Sequence, residues 1–191
     1  ITQCTFINVS SQKNGGAVLI DVMGFQYKDN GTATIRQTEF INCSSEFGGA
    51  VVILGGNANI INCEFTGNTA EYDGGALYAS NNGLNIINSI FTNNKLTYSD
   101  GNTHGGAVYM DASNAYINNT DFINNDKHAV YAYDCNVNIT AIFINNTEAL
   151  HGTFLGNYSI KYNENTTDIF IFNDTDYATI ITEDGAKIEL L

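Results

Sequence analysis

The run Phe65-Thr66-Gly67-Asn68-Thr69-Ala70-Glu71-Tyr72-Asp73-Gly74-Gly75-Ala76-Leu77 holds a phrase that returns along the chain: a phenylalanine followed by asparagine, then a glycine pair opening an apolar stretch. It stands also at Phe6-Ile7-Asn8 with Gly15-Gly16-Ala17-Val18, at Phe40-Ile41-Asn42 with Gly48-Gly49-Ala50-Val51, and at Phe91-Thr92-Asn93-Asn94 with Gly105-Gly106-Ala107-Val108. Two weaker copies follow. One is Phe122 to Asn125 with Lys127-His128-Ala129-Val130; the other is Phe143 to Asn146 with His151-Gly152-Thr153-Phe154. Successive phenylalanines are 34, 25, 26, 31 and 21 residues apart. Coils of a parallel β-helix take roughly 20 to 30 residues, so the repeat predicts an all-β solenoid of about six to seven coils. The apolar runs are short and rich in Ile, Val, Tyr and Phe, which suits strands, and no segment carries a sustained helical period.

Aligning the copies gives each strand an inside and an outside. Two residues before each Phe stand Cys4, Thr38, Cys63, Ser89, Thr120 and Ala141, all small. Alternation along a strand turns them inward with the Phe, so large and small columns fill a narrow interior together. After the glycine pair, Val18, Val51, Leu77, Val108 and Val130 form one inward column, and Ile20, Ile53, Ala79, Met110 and Ala132 form another. The residues between them, Leu19, Val52, Tyr78, Tyr109 and Tyr131, are then expected to face outward. Asn8, Asn42, Asn93, Asn124 and Asn145 share a column and predict a structural asparagine ladder at a turn. The glycine pairs mark another turn, one that needs positive φ or close approach.

Gly24 to Gly31 and Lys95 to Thr103 stretch the spacing and are expected to be projecting loops. Residues 1–156 are read as repeats. Residues 157–191 lose the phrase and are read as irregular terminal coils or capping strands of the same domain, with strand-like stretches at Asp168 to Phe172 and Ala178 to Thr182 and a turn at Asp184-Gly185.

The chain has 191 residues, 43% of them hydrophobic, with 20 acidic against 7 basic residues and a net charge of -13. That balance argues against nucleic-acid partners and a polybasic membrane anchor. No apolar run is long enough to span a bilayer, so no direct membrane insertion is expected. The chain begins inside a repeat and is read as a piece of a longer protein with further domains. Pro and Trp are absent and Gly numbers 18, so its turns rest on Gly and Asn.

The pairing of Gly-Gly-Ala-aliphatic with Phe-x-x-Asn resembles the repeats of chlamydial polymorphic outer-membrane proteins. It resembles still more the Asn- and Tyr-rich adhesin-like surface proteins of methanogenic archaea. The resemblance covers residues 1–155; Lys127-His128-Ala129 and His151-Gly152-Thr153 depart from the pattern. It implies a right-handed parallel β-helix, an extracellular cell-surface location and adhesion, with no catalytic residues to carry over.

Cys4 and Cys63 share a column two coils apart, about 10 Å at the usual strand spacing and too far for a disulfide. Free, mostly buried thiols are expected. His104, His128 and His151 each lie at or beside a glycine-pair turn and are read as surface turn residues, with no metal site. Asp21 and Asp111 share an offset from their glycine pairs, with Leu54 and Ser80 between them, and Glu71 and Asp73 precede another pair. Paired acid catalysis needs carboxyls about 5 to 9.5 Å apart, and the one arginine, Arg36, lies in a strand segment; a polysaccharide-cleaving enzyme is the rival reading. Calcium is conceivable at Tyr27 to Thr32 or Tyr98 to Thr103, where ordinary turn chemistry also suffices. Sequons occur at Asn8, Asn30, Asn42, Asn118, Asn138, Asn145, Asn157, Asn165 and Asn173. Asn30, Asn157 and Asn165 are the better glycosylation acceptors, those in the asparagine ladder being expected to be inaccessible.

These residues point to a non-catalytic adhesin segment, a stalk and presentation surface contacting cell-surface glycans or partner-cell proteins. The candidate ligand-binding residues are Tyr78, Tyr109 and Tyr131, whose faces suit stacking against sugar rings, with Tyr98, Asp100 and Asn102 in the loop beside them; the alternative is that the row packs under the inserted loops or against another domain. A pure spacer is the third reading.

Overall fold

The computed structural model describes residues 1–22, 31–81, 83–98, 102–154, 169–173 and 187–190. Every described element is a β-strand. The first coil gives β1 (Thr5–Ile7), β2 (Val18–Asp21) and β3 (Thr32–Arg36). The second gives β4 (Glu39–Ile41), β5 (Ser44–Phe47), β6 (Val51–Leu54) and β7 (Asn57–Ile61). The third gives β8 (Glu64–Thr66), β9 (Thr69–Asp73), β10 (Leu77–Ser80) and β11 (Gly83–Ile87). The fourth gives β12 (Ile90–Thr92), β13 (Lys95–Leu96) and β14 (Val108–Asp111). After it, β15 (Asn114–Ile123) and β16 (His128–Ile144) run through what were two strands, and β17 (Glu148–Phe154), β18 (Ile169–Asn173) and β19 (Lys187–Leu190) follow.

Each strand pairs in parallel with its counterpart one coil on. The phenylalanine strands run β1-β4-β8-β12-β15-β16 and the strands after the glycine pair run β2-β6-β10-β14-β16, all in one curled 16-stranded sheet. β5, β9 and β13 form a separate three-stranded sheet. β18 and β19 extend the sheet in parallel from β17. Ala178 to Thr182 and the Asp184-Gly185 turn lie outside the described residues.

The interior follows the columns. Rings of Phe6, Phe40, Phe65, Phe91, Phe122 and Phe143 stack at 5.2, 4.8, 4.5, 5.1 and 5.1 Å. Thr38, Cys63, Ser89, Thr120 and Ala141 are buried beside them, and the valine and isoleucine columns after the glycine pairs fill the same core. The small column is polar yet satisfied: the hydroxyls of Thr38, Ser89 and Thr120 donate to the carbonyls of Arg36, Ile87 and Asn118 at 2.9, 3.0 and 3.1 Å. A third inward column escaped the sequence reading: Ile35, Ile60, Ile86, Ile117 and Ile139 are all buried. All four cysteines are free thiols; Cys43, Cys63 and Cys135 are buried and Cys4 is half-buried.

The asparagine ladder exists, one residue later than expected. Asn8, Asn42, Asn93, Asn124 and Asn145 are exposed and take φ of 54, 52, 57, 54 and 54°. They make the left-handed step of the turn, which Asn tolerates, and Gly67 fills that place in the third coil. The ladder is Asn68, Asn94, Asn125 and Asn146, all buried. Asn94 Nδ2 donates to Phe65 O and to Asn125 Oδ1, each at 3.0 Å, and its Oδ1 accepts from Asn68 N and Nδ2 at 3.0 Å. The sequon asparagines Asn8, Asn42 and Asn145 are therefore open to solvent, contrary to expectation; Asn30, Asn157 and Asn165 lie outside the described residues.

The glycine pair serves both expected purposes, one per residue. Gly15, Gly48, Gly74 and Gly105 take φ of 58, 57, 66 and 70°. The second glycine is packed against the next coil: a Cβ on Gly75 would stand 1.9 Å from Gly106 O. The register also moves the last copy of the phrase. Val130 pairs with Leu150, so Thr147-Glu148-Ala149-Leu150 replaces His151-Gly152-Thr153-Phe154, and His151 falls opposite Tyr131. Finally, Lys95–Leu96 is strand β13, paired with Thr69–Ala70, so the expected Lys95 to Thr103 loop starts later. Its central residues, like most of Gly24 to Gly31, lie outside the described residues.

Candidate functional site: a tyrosine and histidine face

Parallel register lines up the outward row Leu19, Val52, Tyr78, Tyr109, Tyr131 and His151. Its members differ in exposure. Leu19 is 49% exposed, but Val52 is buried at 1%, and the three tyrosines are half-buried. The expectation that Val52 faces solvent is overturned, because the turn beside it folds over that position. Val52 Cγ2 stands 2.6 Å from where Gly48 would carry a Cβ.

The tyrosines stack on one another. Tyr78 and Tyr109 lie 5.0 Å apart at 17°, Tyr109 and Tyr131 5.6 Å apart at 4°, and Tyr131 and His151 5.2 Å apart at 20°. Ring faces point along the stack, and what reaches outward is edge and hydroxyl. Burial pushes the Tyr109 hydroxyl well above the usual phenol range, with the nearby Asp73 carboxylate adding to the effect. Burial likewise raises Tyr78 and Tyr131. Tyr98 belongs to a different row: Phe47, Tyr72 and Tyr98 follow each other at 5.4 and 5.6 Å, and Phe47 bridges the rows by an edge contact of 5.9 Å to Tyr78. Tyr98 and Asn102 are exposed; Asp100 lies outside the described residues.

The three histidines, one to a coil, line up side by side. His104 lies 4.2 Å from Tyr131 and 6.0 Å from His128, ring centre to ring centre. Asp73 Oδ1 holds it, accepting its backbone N–H at 2.7 Å and lying 3.3 Å from Nδ1. His128 and Glu148 are register partners on β16 and β17, with Nε2 to Oε2 at 3.5 Å. His151, three residues further along β17, places Nδ1 3.0 Å from the same Glu148 oxygen. One ligand atom from each of His128, Glu148 and His151 lies within 4.8 Å of the others. The His128 side chain is 12% exposed, and burial pushes its pKa down to about 4, so its ring is neutral at neutral pH. The His151 hydrogen bond holds the Glu148 carboxyl below the usual carboxylate range. The signal that was missed is Glu148: aligned to His128, it would have supplied the third converging ligand.

For acid chemistry the geometry is less favourable. Asp21, Leu54, Ser80 and Asp111 are register partners in succession, so the two aspartates stand three strand steps, about 14 Å, apart. That exceeds the roughly 5 to 9.5 Å of a glycosidase pair.

A repeat model of the Chlamydia polymorphic membrane protein family matches residues 62–80. These residues carry the third coil from its phenylalanine strand through β10. Nothing found supports the archaeal part of the resemblance. Neither a curated protein nor a solved structure gives a match.

Proposed function

We propose that the chain is a non-catalytic segment of an adhesin-like protein at the outer cell surface. Its strands close as a right-handed parallel β-helix that serves as stalk and presentation surface. The observation that carries this reading is the family match at residues 62–80, because it falls on a coil whose residues recur in at least three others. The repeated residues build the interior and the turns, which leaves contact with partners to the side chains between them. On this reading, cell-surface glycans or partner-cell proteins meet the edges and hydroxyls of Tyr78, Tyr109 and Tyr131, with Tyr98, Asp100 and Asn102 alongside. Stacking of sugar rings on the tyrosine faces is disfavoured, since those faces are already occupied.

Antibodies raised against the purified chain test the location. They are expected to label intact, unpermeabilised cells that make the protein, and to lose that label after external protease treatment. Labelling only after permeabilisation contradicts a surface protein. For contact, the purified chain is applied to immobilised glycans and to intact cells, beside a variant with all three tyrosines changed to Phe. Binding lost by a folded variant supports the hydroxyl contact. Binding retained removes these tyrosines from it, and no binding by either protein leaves a spacer.

A further inference from the structure

The deepest departure from the repeat is also the densest cluster of metal-ligating atoms among the described residues. In the second to fourth coils the second residue of the turn is glycine because a Cβ would strike backbone; on Gly106 it would stand 1.7 Å from Asp126 O. In the next two coils that residue is His128 and then Glu148, aligned by the register of β16 and β17. The same register puts His151 at the end of the tyrosine row. Three ligating side chains from two neighbouring strands thus meet at one point, with His151 and Glu148 side chains 23% and 26% exposed.

We propose that His128 Nε2, Glu148 Oε2 and His151 Nδ1 form a binding site for a first-row divalent transition cation of the zinc type, with a further coordination position open to solvent. Two imidazole nitrogens and one carboxylate oxygen are a donor set that suits zinc and its neighbours, whereas calcium seeks six to eight oxygens. Donors bound to one tetrahedral ion at 2.0 to 2.2 Å stand about 3.3 Å apart. Glu148 already lies at 3.5 Å from one nitrogen and 3.0 Å from the other, and a shift of the half-buried His151 ring closes the third side. His128 Nδ1 faces the Gly105 backbone, and its Nε2 is the nitrogen turned to Glu148. Coordination through Nε2 moves the ring proton to Nδ1, which gives up the long 3.4 Å contact from Gly105 N–H. The neighbouring Lys127 ammonium is occupied by Thr103, donating to its carbonyl at 3.0 Å and to its hydroxyl. His104, held by Asp73, stacks alongside without joining the three. A bound ion would clip β16 to β17 at the end of the tyrosine stack.

The test uses the whole purified chain, free of any polyhistidine tag, titrated with zinc chloride by calorimetry at neutral pH. One ion per chain is expected, and cobalt(II) should give the visible absorption of a nitrogen and oxygen site. His128→Ala, Glu148→Gln and His151→Gln should each weaken zinc binding ~10-fold or more, while His104→Gln changes it by no more than about twofold. Circular dichroism identifies any variant that fails to fold, and the remaining two then decide. No zinc binding overturns the proposal, as does zinc affinity that is unchanged in the folded ligand variants.

Discussion

The turn after the asparagine ladder is built one way in the second to fourth coils and another way in the two that follow. In Gly48-Gly49, Gly74-Gly75 and Gly105-Gly106 the first glycine supplies a left-handed φ and the second allows the next coil to approach. In Lys127-His128, the lysine adopts φ of 50° despite its Cβ, and the histidine brings a ring where its predecessors bring nothing. In Thr147-Glu148 the carboxylate takes the histidine's place, and the threonine before it is not left-handed. The stacking and the inward columns continue unchanged across the boundary, from Phe91 to Phe122 to Phe143 and from Val108 to Val130 to Leu150. The difference teaches that the phrase is a solution to packing. Where packing relaxes, the same position becomes available to chemistry.

The sharpest way to break this comparison is to put one side chain at both turns. Gly75→Ala drives a Cβ into the Gly106 carbonyl and is expected to cost ~4 kcal/mol or more, enough to prevent folding of a marginally stable domain. His128→Ala at the equivalent place is expected to stay within about 1 kcal/mol, both read from urea unfolding. Next in size is the ladder. Asn94→Ala removes four buried hydrogen-bond contacts and strands the Phe65 carbonyl and the Asn68 amide, at a cost of about 2–4 kcal/mol. Its neighbour Asn93 holds only a turn, so Asn93→Gly is expected to be nearly neutral. Equal effects at the two positions would contradict the placement of the ladder. In Lys127→Gly the relief of a left-handed residue, ~1 kcal/mol, is offset by loss of the ammonium's two bonds to Thr103, so stability is expected to stay within about 1 kcal/mol of the parent. An alkaline effect is shared by both regions. Burial pushes the Cys135 thiol from 9.0 up to about 11, and Cys43 and Cys63 upward too. The unfolded chain therefore ionises first, and stability is complete below pH 9 and declines as pH rises from 9.0 to about 11. In the native chain at pH 8, Cys4 should react fastest with a thiol reagent, whereas denaturant should expose all four.

The columns that could be read from the sequence were those with a fixed distance from Phe or from the glycine pair. Alternation then fixed their facing, as for Val51 and Ile53 on either side of Val52. Alternation said nothing of what lies over a strand, which is why Val52 turned out buried. The ladder slipped by one residue because Asn93-Asn94, Asn124-Asn125 and Asn145-Asn146 offer two candidates each. Gly67-Asn68 held the answer, since a glycine before the asparagine marks the first place as the left-handed one. The buried Ile60 column was missed because it is timed from a second left-handed turn, at Gln37, Asn62, Asn88 and Asn119, whose residues carry no glycine to announce it. The histidine cluster was missed for a related reason: the glycine of His151-Gly152 drew the alignment away from Glu148, and only the strand register restores the pairing with His128.

The separation of packing positions from chemical ones is tested most directly by thermal unfolding of two variants, each with and without zinc. Asn94→Ala should lower the melting temperature while keeping the zinc-induced rise. His151→Gln should leave the zinc-free melting temperature near that of the parent and abolish the rise. If His151→Gln destabilises the zinc-free chain as much as Asn94→Ala does, or if the rise survives in it, the two kinds of position are not distinct.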